Sequence, residues 1–178
     1  ELGYSDQNGD GYLDTVNGPL AITLAVVNER ANPVRLEAAE YIQKDLKKIG
    51  IRVDIVAQDI NTFKNTVKNR NYDMVLSGYY LTDTPNLNFI LKAGGNGNLS
   101  GYSSQNANDC LYNIDAASTL PALKDAVVNL QKTVASELPQ IGLFFEMNTL
   151  LYSNKINVGA VLRETQVYST INEWYFTA

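Results

Sequence analysis

Residues 20–85 read LAITLAVVNERANPVRLEAAEYIQKDLKKIGIRVDIVAQDINTFKNTVKNRNYDMVLSGYYLTDTP. The spacing of the apolar residues changes several times along this stretch. Leu20, Ile22, Leu24 and Val26 alternate with smaller residues, the two-residue period of a strand. Ala39, Ile42, Leu46 and Ile49 recur at steps of three and four, the period of a helix. Asn32 suits the N-cap of that helix, Pro33 its first position, and Gly50 the left-handed conformation just past its end. Ile51, Val53 and Ile55 alternate again, with Arg52 and Asp54 between them. Phe63 and Val67 mark a shorter helix, and Met74 to Leu76 an apolar third strand. Strand, helix, strand, helix, strand is a doubly wound α/β unit on a parallel sheet. Ligands of such sheets sit outside the carboxyl ends of the strands, which directs attention to residues 27–32 and above all 78–86.

Composition narrows the function classes. A chain of 178 residues, 45% hydrophobic and 19% charged, has the profile of a globular protein large enough for a good core. A net charge of -5 argues against nucleic acid as a partner, which needs a basic face. No apolar run reaches the ~18–20 residues of a membrane span. There is no histidine, hence no imidazole for acid–base work or metal ligation. The single cysteine, Cys110, lies in the helical run NDCLYNI and reads as a small buried hydrophobe. ELGY at the start reads as the last turn of a helix, so the chain is expected to be a piece of a longer protein.

Outside the central stretch, SDQNGDGYLD places Asp6, Asn8, Asp10 and Asp14 at positions 1, 3, 5 and 9 of an EF-hand-type calcium loop, with Gly11 at position 6. Position 12 is Asn17 rather than Glu. Two readings are open: a structural calcium, or a Gly/Asn/Asp turn leading into the first strand. Tyr79, Tyr80, Asp83, Thr84 and Asn86 crowd the end of the third strand and suit a polar organic ligand carrying an amine, or else form a surface loop packed on itself. Pro85 is expected to open a short helix, NLNFILK, with Phe89 and Ile90 turned inward. Residues 93–104, AGGNGNLSGYSS, form a loop without the Gly-Lys-Ser/Thr of a phosphate cradle. Tyr102 there is a ligand-facing ring or a lid over the core. Leu123, Val127, Leu130, Val134 and Leu138 predict a core helix from Pro121 to Leu138. IGLFFEM then predicts a buried strand followed by Glu146 as a solvent-facing carboxylate or a buried functional acid, NTLLYS a further strand or extension, and INEWYF a terminal strand or a segment that packs on another part of the protein.

Taken in order, ELGYSDQNGDGYLD, RLEAAEYIQKDLKKIGIRVDI, YDMVLSGYYLTDTPN, NLSGY followed by NDCL, and LQKTVASELPQIGLFF give the chain its family likeness. It resembles the carboxyl-terminal lobe of a family 5 extracellular solute-binding protein, the receptors for oligopeptides, dipeptides and nickel chelates in bacterial ABC importers. That resemblance implies an α/β, type II periplasmic-binding-protein-like lobe, with a mixed, mainly parallel sheet flanked by helices. Residues 1–19 would be its opening segment, 20–153 its core, and 154–178 a tail packing on the missing amino-terminal lobe. It implies no enzyme activity and no cofactor beyond the possible calcium; the absence of histidine and of a Gly-x-Ser-x-Gly elbow agrees. The implied partners are a peptide ligand and a membrane permease, and the implied location is extracellular, at the cell surface or in the periplasm. In the family, Gly-Trp and a later Asp before Asp-Pro end the third strand, the Asp holding the peptide's amino group. Here Tyr79 stands for the Trp, Thr84 replaces the acid before Pro85, and Asp83 is left to meet an ammonium. The implied ligand-binding set is Tyr79, Tyr80, Thr82, Asp83, Asn98 and Tyr102. The other readings are the same fold holding a nickel chelate or sugar, and a calcium-dependent interaction module of a cell-surface protein.

Overall fold

A computed structural model describes residues 3–30, 33–81, 84–145, 151–158 and 167–177. The chain falls into two compact units, Glu1–Tyr79 and Tyr80–Ala178, the first built on a parallel sheet and the second on a pair of helices. In the first, an antiparallel hairpin of β1 (Asp14–Thr15) and β2 (Gly18–Pro19) leads into β3 (Ala21–Val27), α1 (Val34–Lys47), β4 (Arg52–Gln58), α2 (Ile60–Asn69) and β5 (Met74–Leu76). The sheet order is β4-β3-β5, all parallel, with Leu24 opposite both Ile55 and Met74. The doubly wound unit is therefore present as expected.

The chain reverses its direction across the sheet after β4, which sends α1 and α2 to opposite faces. On one face Leu24, Val26 and Val53 pack with Ala39, Leu36, Ile42 and Leu46 of α1. On the other, Ala25 and Val27 pack with Phe63 and Val67 of α2 and with Tyr72 and Val75. Every residue from Leu24 to Val27 is at most 2% exposed. The alternation in the sequence is thus one of size, not of burial, as befits the middle strand of a parallel sheet.

Local chemistry sets the ends of these elements. The Asp59 carboxylate caps α2, accepting hydrogen bonds from the Asn61 and Thr62 amides at 2.9 and 3.2 Å. Gly50 takes φ +79, and a Cβ there would stand 2.9 Å from Leu13 Cγ. Its carbonyl accepts the Leu13 amide at 2.7 Å, so the end of α1 grips the hairpin. Pro33 occupies the N-cap position of α1 rather than its first turn, and the expected cap, Asn32, lies outside the described residues. Gly3 and Tyr4 are not helical, unlike the expected helix end, of which Glu1 and Leu2 lie outside the described residues.

The second unit holds α3 (Asn88–Leu91), α4 (Gln105–Ala116), α5 (Leu120–Glu137), and an antiparallel pair of β6 (Ile156–Asn157) and β7 (Tyr175–Phe176). Ser104 and Thr119 cap α4 and α5 through their hydroxyls. The Cys110 thiol is half-buried and faces α5, 3.8 Å from the Thr133 hydroxyl. Several expectations shift here. Pro85 does not open α3; the Asn86 side chain accepts the Asn88 amide at 2.9 Å, and Ile90 and Leu91 are the buried pair while Phe89 is 38% exposed. On α5 the buried residues are Leu130 and Ala126, and Leu138 sits beyond the helix end in a left-handed, exposed position. Ile141 to Phe145 form no strand and are exposed, because no described element covers them. Glu146 and residues 148–150 of NTLLYS lie outside the described residues, and Leu151 to Ser153 are not a strand. In place of one terminal strand, Ile171–Glu173 form a 3-10 turn before β7. The Trp174 ring lies 5.9 Å from that of Tyr168, and its indole N–H donates to the Thr170 hydroxyl at 3.4 Å.

Candidate functional site

The order β4-β3-β5 puts a topological switch point between the carboxyl ends of β3 and β5, the place where an open parallel sheet binds ligands. Four residues of the first unit stand there or just beyond: Glu29 after β3, Arg35 in the first turn of α1, and Gly78 and Tyr79 after β5. The register that delivers them is fixed from the other end of β5. The Asp73 carboxylate accepts the Thr23 amide at 2.7 Å and the Thr23 hydroxyl at 2.8 Å, while that hydroxyl accepts the Asp73 amide at 3.1 Å. The Thr23 amide, then its hydroxyl, hold the Asp73 carboxyl below its usual range.

Gly78 leaves room for a guanidinium. A Cβ at that position would lie 3.1 Å from Arg35 Nη2. The Arg35 side chain is 27% exposed, and Glu29 approaches it at 3.9 Å. That separation is an ion pair but too long for a hydrogen bond. A cation in the first turn of a helix opposes the helix dipole, so Arg35 is placed against the local electrostatic preference. Tyr79 is half-buried, and burial, then the neighbouring Tyr72, push its hydroxyl above the usual phenol range, leaving it a protonated hydrogen-bond donor at neutral pH.

The other sequence-derived candidates fall elsewhere. Thr82 and Asp83 lie outside the described residues. Tyr80 opens the second unit and is 95% exposed. Asn98 and Tyr102 are brought together within that unit. Asn98 is 5% exposed, and its amide donates to the carbonyls of Lys92 and Tyr102 at 3.0 and 2.7 Å while its oxygen accepts the Tyr102 amide at 2.9 Å. Asn98 therefore braces its own loop. The Tyr102 hydroxyl donates to Glu137 at 2.5 Å, and Ser104 at 3.1 Å and Asn106 at 3.3 Å donate to the same carboxylate. These contacts, Tyr102 first, hold the Glu137 carboxyl below its usual range, and make Tyr102 a strap from the loop to the end of α5.

The Asp/Asn/Gly loop closes through its own backbone. The Asp6 carboxylate accepts the Gly9 and Gly11 amides at 2.7 and 2.9 Å, Asn8 accepts the Asp10 amide at 2.8 Å, Asp10 the Tyr12 amide at 2.9 Å, and Asp14 the Gln7 amide at 2.8 Å.

Residues 1–101 match the family model of bacterial extracellular solute-binding proteins, family 5 Middle. The chain belongs to that family. It is a family of binding proteins, not of enzymes. Over 87 residues, 48% of the chain, it is 34% identical to the oligopeptide-binding protein AppA of Bacillus subtilis (strain 168), and that stretch is 16% of the relative. The solved structure of AppA from Bacillus subtilis in complex with a nonapeptide covers 99% of the chain with a TM-score of 0.68 at 21% identity. NikZ from Campylobacter jejuni in complex with Ni(L-His) covers 77% with a TM-score of 0.63 at 18% identity. Both likenesses are of fold, the type II periplasmic-binding-protein fold. The chain spans 35% and 28% of the length of those two structures. Among the described residues no helix is long and apolar enough to cross a membrane.

Arg35 is the residue that the sequence reading passed over. A signal for it was present: a lone cation in the first turn of the helix that follows the first strand of a doubly wound unit.

Proposed function

We propose that the chain supplies one face of the ligand site in the substrate-binding component of an ABC importer, and that the ligand is a peptide held by closure of two lobes. The single observation that carries this is the switch-point arrangement, in which Arg35 reaches over Gly78 beside Tyr79 in a chain of a solute-binding family. A guanidinium offers paired donors in the geometry of a carboxylate, and Tyr79 adds a hydroxyl donor. Arg35 then meets a ligand carboxylate with Tyr79 beside it, and the family pattern gives a ligand's ammonium to Asp83. Backbone hydrogen bonds and water-filled side-chain pockets would let one receptor accept many sequences. The nonapeptide in the AppA structure supports the peptide. In this reading the chain is one lobe, its partners are a first lobe of the same protein and a membrane permease, and it works outside the cytoplasmic membrane.

A second reading keeps the site and changes the cargo. The Ni(L-His) in NikZ favours a metal chelate, whose carboxylates would meet the same arginine. Native mass spectrometry of the full natural protein separates the two. A ladder of short peptides leaving on mild denaturation is the expected result. A single metal chelate or sugar would replace the peptide, and a protein that is empty and ignores added peptides would overturn the receptor reading.

A further inference from the structure

The ion pair at the switch point has an odd build. Glu29 and Arg35 come from either side of the turn between β3 and α1, and both are open to solvent, 39% and 27% exposed at the side chain. Their charged atoms stand 3.9 Å apart, beyond hydrogen-bond reach, so Glu29 biases the guanidinium without clamping it in a two-pronged grip. Gly78 meanwhile leaves the outer nitrogen of that guanidinium lying over bare backbone. The chain thus carries, beside its best carboxylate-binding group, a carboxylate of its own.

We propose that Glu29 is a specificity-determining residue that competes with incoming carboxylates for Arg35. The inference rests on the reading above that Arg35 meets the ligand's carboxylate. An arriving carboxylate must come close to Glu29 while it engages Arg35, and either shares the guanidinium with a like charge or displaces it. Two like charges at that spacing repel, and repulsion between partly exposed groups weakens binding without abolishing it. Glu29 therefore holds down the affinity for any anion. The same repulsion grows with each further negative charge beside the terminal carboxylate and is relieved by a positive one. The pair consequently disfavours ligands with an acidic last residue and favours neutral or basic ones. In the empty receptor Glu29 also keeps the arginine's charge accompanied, which limits capture of stray anions.

The test uses the full natural protein, with acetate as the probe and the Arg35 Nε–Hε resonance as the readout. Glu29→Gln removes the charge at nearly constant shape, and Glu29→Asp keeps the charge. Acetate is expected to saturate the Arg35 shift at a concentration about threefold to fivefold lower in Glu29→Gln than in the wild type, the scale of an exposed ion pair. Glu29→Asp should stay near the wild type, which a merely structural role for the side chain would not predict. Equal or weaker acetate binding in Glu29→Gln overturns the proposal, as does an Arg35 resonance indifferent to acetate in all three proteins. Trialanine and its carboxyl-terminal amide, added to the same samples, separate this from the functional reading. If the order among the three proteins holds for acetate while trialanine binds none of them, Glu29 keeps its role and the peptide reading fails.

Discussion

Residues 24–27 and residues 141–145 are both apolar runs, and their fates differ. Leu24 to Val27 are at most 2% exposed, whereas Ile141 is 78% and Phe145 86% exposed. The first run has a strand on either side of it and a helix over each face. The second follows the left-handed turn at Leu138 and meets no such layers among the described residues. Hydrophobicity states that a segment gains from being covered; topology decides whether its own unit can cover it. A run such as 141–145 is therefore a request for a partner surface, and the sheet of the first unit is a request already met.

The largest test of this contrast compares two truncations in the full natural protein by urea denaturation. Leu24→Ala, which leaves a void between β4, β5 and α1, should cost about 3 kcal/mol, while Phe145→Ser should cost less than about 0.5 kcal/mol. A comparable loss at Phe145 would break the comparison by showing that the natural protein does cover it. Next comes Asn98→Ala. It leaves two loop carbonyls and one amide without their partner and should cost about 2 kcal/mol, a value for a polar brace that approaches that of a core leucine. A negligible change in the urea midpoint would show that the second unit does not depend on that loop.

A smaller effect is expected at Asp73. Its carboxyl is held below the usual range, so its contribution is present above about pH 4 and is lost as pH falls through the lower folded-state pKa. Asp73→Asn should cost about 1 kcal/mol at neutral pH, since the group is exposed, and nothing once the wild-type carboxyl is protonated. Stability curves of the two proteins that stay parallel through the whole acid limb would remove that carboxylate from the account of how β5 is registered. The smallest expected effect is none. The carboxylates and the Asn8 oxygen of the Asp/Asn/Gly loop already accept backbone amides, so a calcium chelator should leave the melting curve unchanged. A clear drop would make the loop a calcium site and raise the hairpin to a metal-dependent element.

The first unit was legible because its signals are local. Periods of two and of three to four and the left-handed Gly50 all act within a few residues, whereas the cap at Asp59 became visible only in the structure. What the spacing missed there was burial of Ala25 and Val27 on the second face, since a small residue under Phe63 looks like a solvent position until α2 is placed. The second unit was less legible for a related reason. Ile141 to Phe145 have the composition of a buried strand, but strand pairing is a long-range property that composition does not encode. The candidate site divides in the same way. Topology pointed to the end of β5, where Gly78 and Tyr79 stand. Arg35 needed the approach of its guanidinium to Gly78, and Asn98 needed its three hydrogen bonds, before either could be given a role.

The middle position of β3 sets an order of events during synthesis. The strand that ends in the centre of the sheet is the first of the three to be made, and its partner at Asp73 lies 50 residues downstream. Until residue 76 has left the ribosome, one edge of β3 and part of both its apolar faces stay wet. Leu24 to Val27 are then the segment most in need of shielding, a natural point for a chaperone to hold. Variants that delay β5 should show their defect as aggregation of nascent chains before they show it as a lowered melting point.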